Sequence, residues 1–364
     1  MEQYRQALAA DGVELHTFPL FDADWFAILE QPASPLRSLR KAAYSLRRLF
    51  ARLRQLRAAK RSGADLIHVE QQLFPYLPAW IEAALWPRDT PTLLEFDDAI
   101  YLTFAHRKKL QRLCALADGV IVGNDTLADF ARPWAQHVHV IPTTLDLSRY
   151  AAALDMQRAR RAEHAQTGPL RVAWIGLRYN FAYLAELAAP LAELCRAHPG
   201  SELVVISSAL PDAALFPGVP LELEPWSEHA EAEALARCDV CVMPLPDTEW
   251  ARGKCALKLL QGMAAGLPVI ASPVGVNTHI IESGRNGLLA SAPSDWSEAL
   301  LALAADPELR TRLGEAGRER VEAEFTLEGG ARQLHSAYRQ TLSGAAKGVS
   351  QPVSPPGAKR TPPA

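Results

Sequence analysis

The pattern of apolar and polar residues in the first 150 residues predicts buried strands that alternate with helices. A helical segment at 2–10 ends at Asp11-Gly12. The apolar runs that follow are typical of strands and occupy residues 13–18, 66–69, 92–96, 119–123 and 138–141. Strands that alternate with helices at this spacing form parallel sheets with helices on both faces, so residues 1–150 are predicted to form one α/β domain.

The same alternation returns in the second half of the chain. Strands are predicted at 171–176, 202–207, 240–243, 269–272 and 287–290. Helical segments lie between them at 183–198, 229–237, 255–265 and 295–304. Ligands of such sheets bind beyond the carboxyl ends of the strands. We therefore predict two Rossmann-like parallel-sheet domains that face a cleft.

Composition indicates the cellular compartment and the boundaries of the domains. The chain has 364 residues, 49% of them apolar, and a net charge of −3, as in an ordinary soluble globular protein. Five scattered cysteines, and no apolar window long enough to cross a membrane, favour a cytoplasmic protein. We expect a connection at 151–168, the second domain at 169–325, a final helix at 326–343 and a disordered, proline-rich tail at 344–364.

The segment from Arg252 to Gly275 is the most informative part of the chain. A helix predicted to begin near Gly253 would place Arg252, Lys254 and Lys258 at its N-terminal end. The helix dipole is positive there, so three cations are explained if an anion binds between them and the free backbone N–H groups. We favour a phosphate or diphosphate site over the alternative, a solvated basic turn.

Several runs of residues resemble family 4 glycosyltransferases of the GT-B fold, in particular a bacterial branch involved in surface polysaccharides. They are 94–100, 141–146, 242–247 and 252–277 with its Gly-Leu-Pro unit, and the resemblance covers residues 3–342. It implies a retaining, metal-independent transferase without a cofactor, which takes a sugar from a UDP- or GDP-linked donor. The second domain would bind the donor and the first the acceptor, and the last helix would cross back to the first domain.

The donor site departs from the family pattern at two positions. The family has two glutamates, eight positions apart, that bond the donor sugar and the ribose, and Gly253 and Gln261 align with them here. Gln261 can still bond a ribose. Contacts to the sugar must come from elsewhere, with Asp247 or Glu249 as candidates.

The start of the chain also departs from the family. It opens on the helix that should follow a first central strand, so the first domain is predicted to lack that strand. A parallel sheet without a central strand would leave backbone groups unpaired. Either the assigned start lies too far downstream, which we favour, or the first domain is defective.

Other donor-side candidates lie on loops after predicted strands. Arg178, just beyond Gly176, could add a bidentate contact to a phosphate, with an ordinary surface arginine as an equal alternative. Trp226 either borders the nucleobase or simply packs. Gly275 and Asn277 lie on a loop whose N–H groups could reach a phosphate or sugar.

Acidic residues mark the acceptor side. Asp97 and Asp98 end one predicted strand at the cleft, and Glu70 ends another. By the resemblance, Asp97 would orient the acceptor hydroxyl or balance oxocarbenium charge, while Lys254 and Lys258 stabilise the leaving group. Helix capping is the alternative role for Asp98. An Asp-Asp pair is also compatible with a metal-dependent GT-A enzyme, but that interpretation leaves the second half unexplained, so no metal is predicted.

A strongly basic helix is predicted within 36–61, which has ten Lys or Arg and no acid. Leucines at three- and four-residue intervals give it an apolar face, which we expect to pack on the sheet. Its charge favours contact with an anionic membrane surface, because each basic residue near such a surface contributes about 1 kcal/mol of electrostatic attraction. Nucleic acid is a weaker candidate, because no interleaved aromatic residues accompany the charges.

We therefore expect a cytoplasmic glycosyltransferase at the inner face of the membrane. It would act on a glycan or lipid-linked acceptor in polysaccharide or lipopolysaccharide synthesis. The alternative from another class is a non-catalytic GT-B-like partner or a truncated remnant. A nucleotide-sugar epimerase would need acid and base side chains in the cleft that we cannot identify.

Overall fold

The computed structural model describes residues 1–75, 77–103, 106–163 and 167–348. It has two parallel β-sheets, of four and six strands, with helices around them. The predicted α/β class and two-sheet architecture are confirmed.

The strands follow the predicted alternation closely. They are β1 (Ile67–Glu70), β2 (Thr92–Phe96), β3 (Gly119–Val122), β4 (Val138–Val140), β5 (Arg171–Ile175), β6 (Glu202–Ser207), β7 (Leu221–Pro225), β8 (Val240–Met243), β9 (Val269–Ala271) and β10 (Leu288–Leu289). The first sheet has the order β1-β2-β3-β4 and the second β10-β9-β8-β5-β6-β7. All of them except β7 lie within two residues of a predicted strand.

The helices vary from one turn to eight. They are α1 (Arg5–Ala10), α2 (Ala23–Glu30), α3 (Pro35–Ser62), α4 (Ala79–Leu85), α5 (His106–Leu116), α6 (Asp125–Ala131), α7 (Ala151–Glu163), α8 (Phe181–Leu184), α9 (Ala188–Ala197), α10 (Glu231–Ala236), α11 (Glu249–Arg252), α12 (Leu257–Ala264), α13 (Asn277–Ile280), α14 (Pro293–Ala305), α15 (Pro307–Glu324) and α16 (Leu327–Gly348). Short 3-10 turns lie at Glu2–Tyr4, Ile100–Leu102, Leu147–Tyr150, Arg178–Asn180, Ala185–Leu187 and Ala213–Leu215.

Helix α16 extends further than predicted. Residues 344–348, expected to begin a disordered tail, are helical. Residues 349–364 of that tail lie outside the described part of the chain.

Residues 13–18 form no strand, which corrects the sequence prediction. Side chains bond this segment where a neighbouring strand would otherwise do so. Arg52 Nη1 donates to Phe18 O at 2.9 Å, and Arg5 Nη1 donates to Leu15 O. Among the described residues β1 pairs only with β2, so one edge of β1 is open.

Strand β7 has no counterpart in the sequence prediction. It forms an edge of the second sheet, and its two glutamates, Glu222 and Glu224, lie 3.0 and 2.9 Å from Arg171 and Arg237. A half-exposed edge strand with charged residues lacks the continuous apolar run of a buried parallel strand.

Helix α3 buries a different face from the one predicted. Four large apolar side chains between residues 36 and 50 are 55–66% exposed, namely Leu36, Leu39, Leu46 and Phe50. Tyr44 is buried instead, and its hydroxyl donates to Asp22 at 2.9 Å. Only in the C-terminal half do leucines such as Leu53 pack against the first domain. The expectation that the leucine face covers the sheet is therefore wrong for the N-terminal half.

The chain crosses between the two sheets twice, and the two crossings are hydrogen-bonded to each other. Leu145 N donates to Phe325 O at 2.8 Å, and Leu327 N donates to Leu145 O at 2.9 Å. After the second crossing α16 packs against α1, β2 and β3 of the first domain. Helix α7, predicted only as a connection, packs on α10 of the second.

Candidate active site

The cations of the predicted anion site lie around a break between two short helices. Arg252 ends α11, Lys254 lies in the following loop, and Lys258 lies in the first turn of α12. The helix begins at Leu257, four residues later than predicted, because the left-handed backbone of Ala256, with φ of 55°, interrupts it. The structure therefore brings Lys254 and Lys258 to the N-terminal end of α12, but not Arg252.

Arg252 and Asp247 bind each other. Arg252 Nε and Nη2 donate to the two carboxylate oxygens of Asp247 at 2.6 and 2.9 Å. This hydrogen-bonded pairing on the surface lowers the pKa of Asp247. The N–H groups of Arg252 that do not bond Asp247 remain able to donate to a ligand.

Lys258 is half-buried beside charged and polar groups of several elements. Burial lowers the pKa of its ammonium group, and the charge of Lys254 lowers it further. Glu231 and the thiol of Cys241 act in the opposite direction. A partly desolvated cation gains from an additional anion, which favours its charged form.

Gly253 lies directly against the first domain. A Cβ atom at this position would lie 2.7 Å from Ala99 Cβ and 3.2 Å from Ala99 N. The loop after β2 thus occupies the space that a longer side chain would need. The missing glutamate of the family pattern has a steric reason in this chain.

Asp97 and Asp98 follow β2 and lie against the loop of Lys254 and Cys255. Cys255 Sγ donates to Asp97 O at 3.0 Å, and the charge of Lys254 opposes the rise in the pKa of Asp98. Burial is the largest effect on both carboxyls and raises both pKa values, and the charge of Asp98 raises the pKa of Asp97 further. Asp98 is not a cap, because the 3-10 turn that follows has no side-chain cap.

Glu70, the third acceptor-side candidate, ends β1. Its side chain is 58% exposed and lies 3.2 Å from the Met1 amino group. Its charge also contributes to the raised pKa of Asp97. The structure thus brings the predicted acceptor-side acids and donor-side lysines to one cleft.

Asn124 connects the two domains at this point, and sequence reasoning does not single it out. Its side-chain oxygen caps α6 by accepting from Leu127 N at 3.0 Å. Its amide donates to Gly253 O at 3.0 Å and to Lys254 O at 3.2 Å. The signal in the sequence was its place just beyond the carboxyl end of β3, where ligand-binding groups collect in parallel sheets.

A buried polar cluster lies beside Lys258. Gln261 is 3% exposed, and its side-chain carbonyl oxygen has no hydrogen-bond partner among the described residues. The Tyr150 hydroxyl interacts with Gln261 and donates to Glu231 at 3.2 Å. Trp226, half exposed, donates its Nε1 hydrogen to Glu231 at 2.9 Å. The sequence gives no reason to single out Glu231, because acidic residues are common in the first turn of a helix.

The loop after β9 packs on the turn that includes Arg252. Gly275 has φ of 55°, and a Cβ atom there would lie 2.7 Å from Arg252 O. Asn277 is buried, and its amide donates to Ser272 O at 3.0 Å. Its side chain therefore stabilises the loop, and the backbone is what the loop can offer to a ligand.

Gly176 and Arg178 follow β5. A Cβ atom at Gly176 would lie 2.5 Å from the Trp174 ring, which explains the glycine. The exposed guanidinium of Arg178 lies 5.1 Å from the ring centroid of Tyr179. No contact among the described residues joins Arg178 to Lys254 or Lys258.

Residues 187–306 match the family model described as Glycosyl transferases group 1. Similar curated proteins include the D-inositol 3-phosphate glycosyltransferase of Corynebacterium jeikeium, which is 28% identical over 59% of this chain and 55% of that protein. A glycogen synthase of Mycobacterium tuberculosis is 27% identical over 63% of this chain and 54% of that protein. The chain spans about half the length of the curated relatives it matches.

Solved structures with the same fold cover most of the chain. A sucrose-phosphate synthase from Thermosynechococcus elongatus has a TM-score of 0.64 at 19% identity, over 94% of this chain and 92% of that one. Anabaena HepE, in complex with UDP and glucose, has a TM-score of 0.63 at 15% identity, over 88% and 90%. These likenesses show the GT-B fold.

Proposed function

We propose that this protein, which belongs to the group 1 glycosyltransferase family, transfers a sugar from a UDP- or GDP-linked donor to a glycan or lipid-linked acceptor. The observation that supports this best is the placement of Asp97 and Asp98 of the first domain against the loop of Lys254 and Cys255, which leads into α12 and Lys258. Transfer from a diphosphate needs cations at the leaving group and polar groups at the attacking hydroxyl.

The residues on the two sides of the cleft divide the reaction between them. Lys254 and Lys258 neutralise the diphosphate as the bond between the anomeric carbon and the β-phosphate oxygen breaks. The acceptor oxygen bonds the anomeric carbon on the same face, which retains the configuration, and its proton passes to the departing phosphate oxygen. Asp97 orients the acceptor hydroxyl and balances the positive charge that develops on the sugar ring. Because two lysines neutralise the phosphates, we propose a metal-independent reaction without a cofactor.

The buried polar cluster is proposed to bind the nucleoside. The free carbonyl oxygen of Gln261 would accept from a ribose hydroxyl, because a buried acceptor is costly to leave unpaired. Trp226 would border the nucleobase with its exposed ring. Backbone N–H groups of the loop at Gly275 would reach the phosphates or the sugar. UDP in the crystals of Anabaena HepE supports UDP as the first nucleotide to test.

The site of action that we propose is the cytoplasmic face of the inner membrane, in surface-polysaccharide or lipopolysaccharide synthesis. No described helix is long and apolar enough to cross a membrane. Helix α3 instead offers a surface for contact through residues 36–61, where the exposed Leu36, Leu39, Leu46 and Phe50 accompany five exposed arginines, Arg40, Arg47, Arg54, Arg57 and Arg61. Amphipathic helices of this composition lie in the headgroup region with the apolar side chains inserted.

Calorimetric titration with UDP and GDP tests the donor site. We expect saturable binding of one nucleotide by the wild type and more than about 100-fold weaker binding by Lys254→Ala/Lys258→Ala, because two charge-assisted contacts are lost. The variant Lys41→Ala/Lys60→Ala removes the same charge from α3 and should bind as the wild type does. Folded wild-type protein that binds neither nucleotide would favour a non-catalytic GT-B-like partner instead.

A further inference from the structure

Glu231 is a buried carboxylate that the proposed reaction does not yet use. It is 6% exposed in the first turn of α10. Its Oε2 accepts from Trp226 Nε1 at 2.9 Å, and its Oε1 accepts from the Tyr150 hydroxyl at 3.2 Å. A buried carboxylate is costly unless cations or several donors compensate its charge. The role of Glu231 therefore depends on which cations lie close enough to compensate its charge.

Two cations lie near Glu231, and they differ in their other partners. Arg149 Nη2 is 3.8 Å from Glu231 Oε1, but Arg149 Nη1 lies 3.1 Å from the exposed carboxylate of Glu228. Lys258 has Glu231 as the carboxylate that acts on it, together with the thiol of Cys241 on β8 and the ammonium group of Lys254 in the preceding loop. Lys258 precedes Gln261 by one turn of α12, and the Tyr150 hydroxyl interacts with both Gln261 and Glu231. Glu231 thus lies near Arg149, which is already paired with Glu228, and near Lys258, for which no salt bridge occurs among the described residues.

We propose that Glu231 is a positioning residue of the donor site, which fixes Trp226 and Tyr150 and keeps Lys258 charged where the diphosphate binds. The inference rests on the proposed function, because that function assigns Lys258 to the diphosphate. One carboxylate then connects the nucleobase end of the donor, at Trp226, with the phosphate end, at Lys258. A role confined to the end of α10 would leave Lys258 unaffected.

The charge of Glu231 has a consequence that depends on pH. Burial and Lys254 lower the pKa of Lys258, and Glu231 opposes that change. Without the carboxylate, Lys258 loses its proton at a lower pH, and the neutral amine binds a diphosphate weakly. The pH above which UDP binding fails should therefore move downward when the charge of Glu231 is removed.

The test is UDP titration between pH 6.5 and 10 with wild type, Glu231→Gln and Glu228→Gln. Glutamine retains the shape and one acceptor of the glutamate. We expect the alkaline limit of binding in E231Q to move down by about one pH unit, so that UDP binding at pH 9 weakens about tenfold more than at pH 7. E228Q removes a carboxylate that shares Arg149 but is exposed, and should keep the wild-type limit.

The outcomes separate this inference from the proposed function. A wild type that binds neither UDP nor GDP would overturn both. If the wild type binds UDP, an E231Q profile that is parallel to the wild type at every pH would overturn the inference alone. If E231Q does not fold, Glu231→Asp keeps the charge but withdraws it by one methylene group. Its alkaline limit should then move down by a smaller amount, and an unchanged limit would overturn the inference.

Discussion

The side-chain amide of Asn124, in the first domain, donates to the main-chain carbonyl oxygen of Lys254, in the second, at 3.2 Å. The same amide bonds Gly253 O at 3.0 Å. The backbone that presents Lys254 to the cleft is therefore fixed by a residue of the opposite domain. The proposed binding of a donor by the second domain would thus depend on how the first domain is docked.

Asn124→Asp should weaken UDP binding without loss of the α6 cap. Aspartate also accepts from Leu127 N, but it places an oxygen against the carbonyl oxygens of Gly253 and Lys254. We expect about tenfold weaker UDP binding by calorimetry. Asn124→Ser keeps a capping oxygen without the repulsion and should lose less. Wild-type affinity in N124D would show that Lys254 does not depend on this contact.

Gly253→Ala should destabilise the fold although it adds one methyl group. The new Cβ atom would lie 2.7 Å from Ala99 Cβ, so one backbone segment must move, at a cost of about 1–3 kcal/mol. Thermal denaturation measures the change. Gly168→Ala is the matched control, because nothing lies within 4 Å of a Cβ atom there. Equal melting temperatures for both variants would contradict the steric account.

Asp247→Asn should strengthen UDP binding if Arg252 is a donor ligand. The substitution removes the carboxylate that now accepts two hydrogen bonds from the guanidinium, so Arg252 is free to turn toward a phosphate. Arg252→Gln should weaken binding, and calorimetry reports both. Unchanged affinity for UDP in both variants would show that Arg252 forms only its surface ion pair and does not bind the donor.

Asp98→Asn should lower the pKa of Asp97. Burial raises the pKa of Asp97, and the charge of Asp98 raises it further, so removal of that charge allows Asp97 to ionise at lower pH. Carbon-13 NMR of the aspartate carboxyls during a pH titration measures the shift. Asp89→Asn, which removes an exposed carboxylate paired with Lys60, should leave the titration of Asp97 unchanged.

The same variant should be more stable than the wild type at pH 7. A carboxyl whose folded pKa is raised loses stability as pH rises from its unfolded pKa through its folded pKa. At pH 7 the partly buried Asp98 has incurred this cost, and the neutral asparagine avoids it. A lower melting temperature for D98N than for the wild type would show that Asp98 makes a stabilising contact instead.

Leu39→Ser/Leu46→Ser/Phe50→Ser should reduce sedimentation with vesicles that contain phosphatidylglycerol. These side chains are exposed on α3, so their loss removes the inserted apolar area without a hole in the core. The wild type should sediment with anionic vesicles and much less with phosphatidylcholine alone. A matched change at Leu215, another exposed apolar side chain, should have no effect.

The strands of both sheets were predictable because buried parallel strands appear as continuous apolar runs. The same rule fails for β7, whose glutamates lie at an edge, and for residues 13–18, whose carbonyl groups are bonded by side chains. Helical periodicity identified apolar residues on α3 but not which of them pack. Leu49, Leu53 and Leu56 pack against the first domain, while the more N-terminal leucines do not.

For the site, a local pattern located the two lysines, because cations at a helix N-terminus are unusual in a short segment. The contacts that define their surroundings are not local. Asn124 and Lys254 are 130 residues apart in the chain, and Tyr150 and Glu231 are 81 apart. No spacing rule relates such pairs before the fold is known. The Arg252–Asp247 pair is close in sequence, but a bidentate bond depends on side-chain geometry that a pattern does not encode.

The two crossings between the domains, bonded to each other at Leu145, restrict how the cleft can open. We expect two linkers that are hydrogen-bonded side by side to act as a hinge, so that the domains rotate about one axis without sliding or twisting independently. We expect the swing to break the Asn124 contacts first, since they lie at the cleft. Substrate entry and product release would then both depend on one rotation of the domains, about an axis at the hydrogen-bonded crossings.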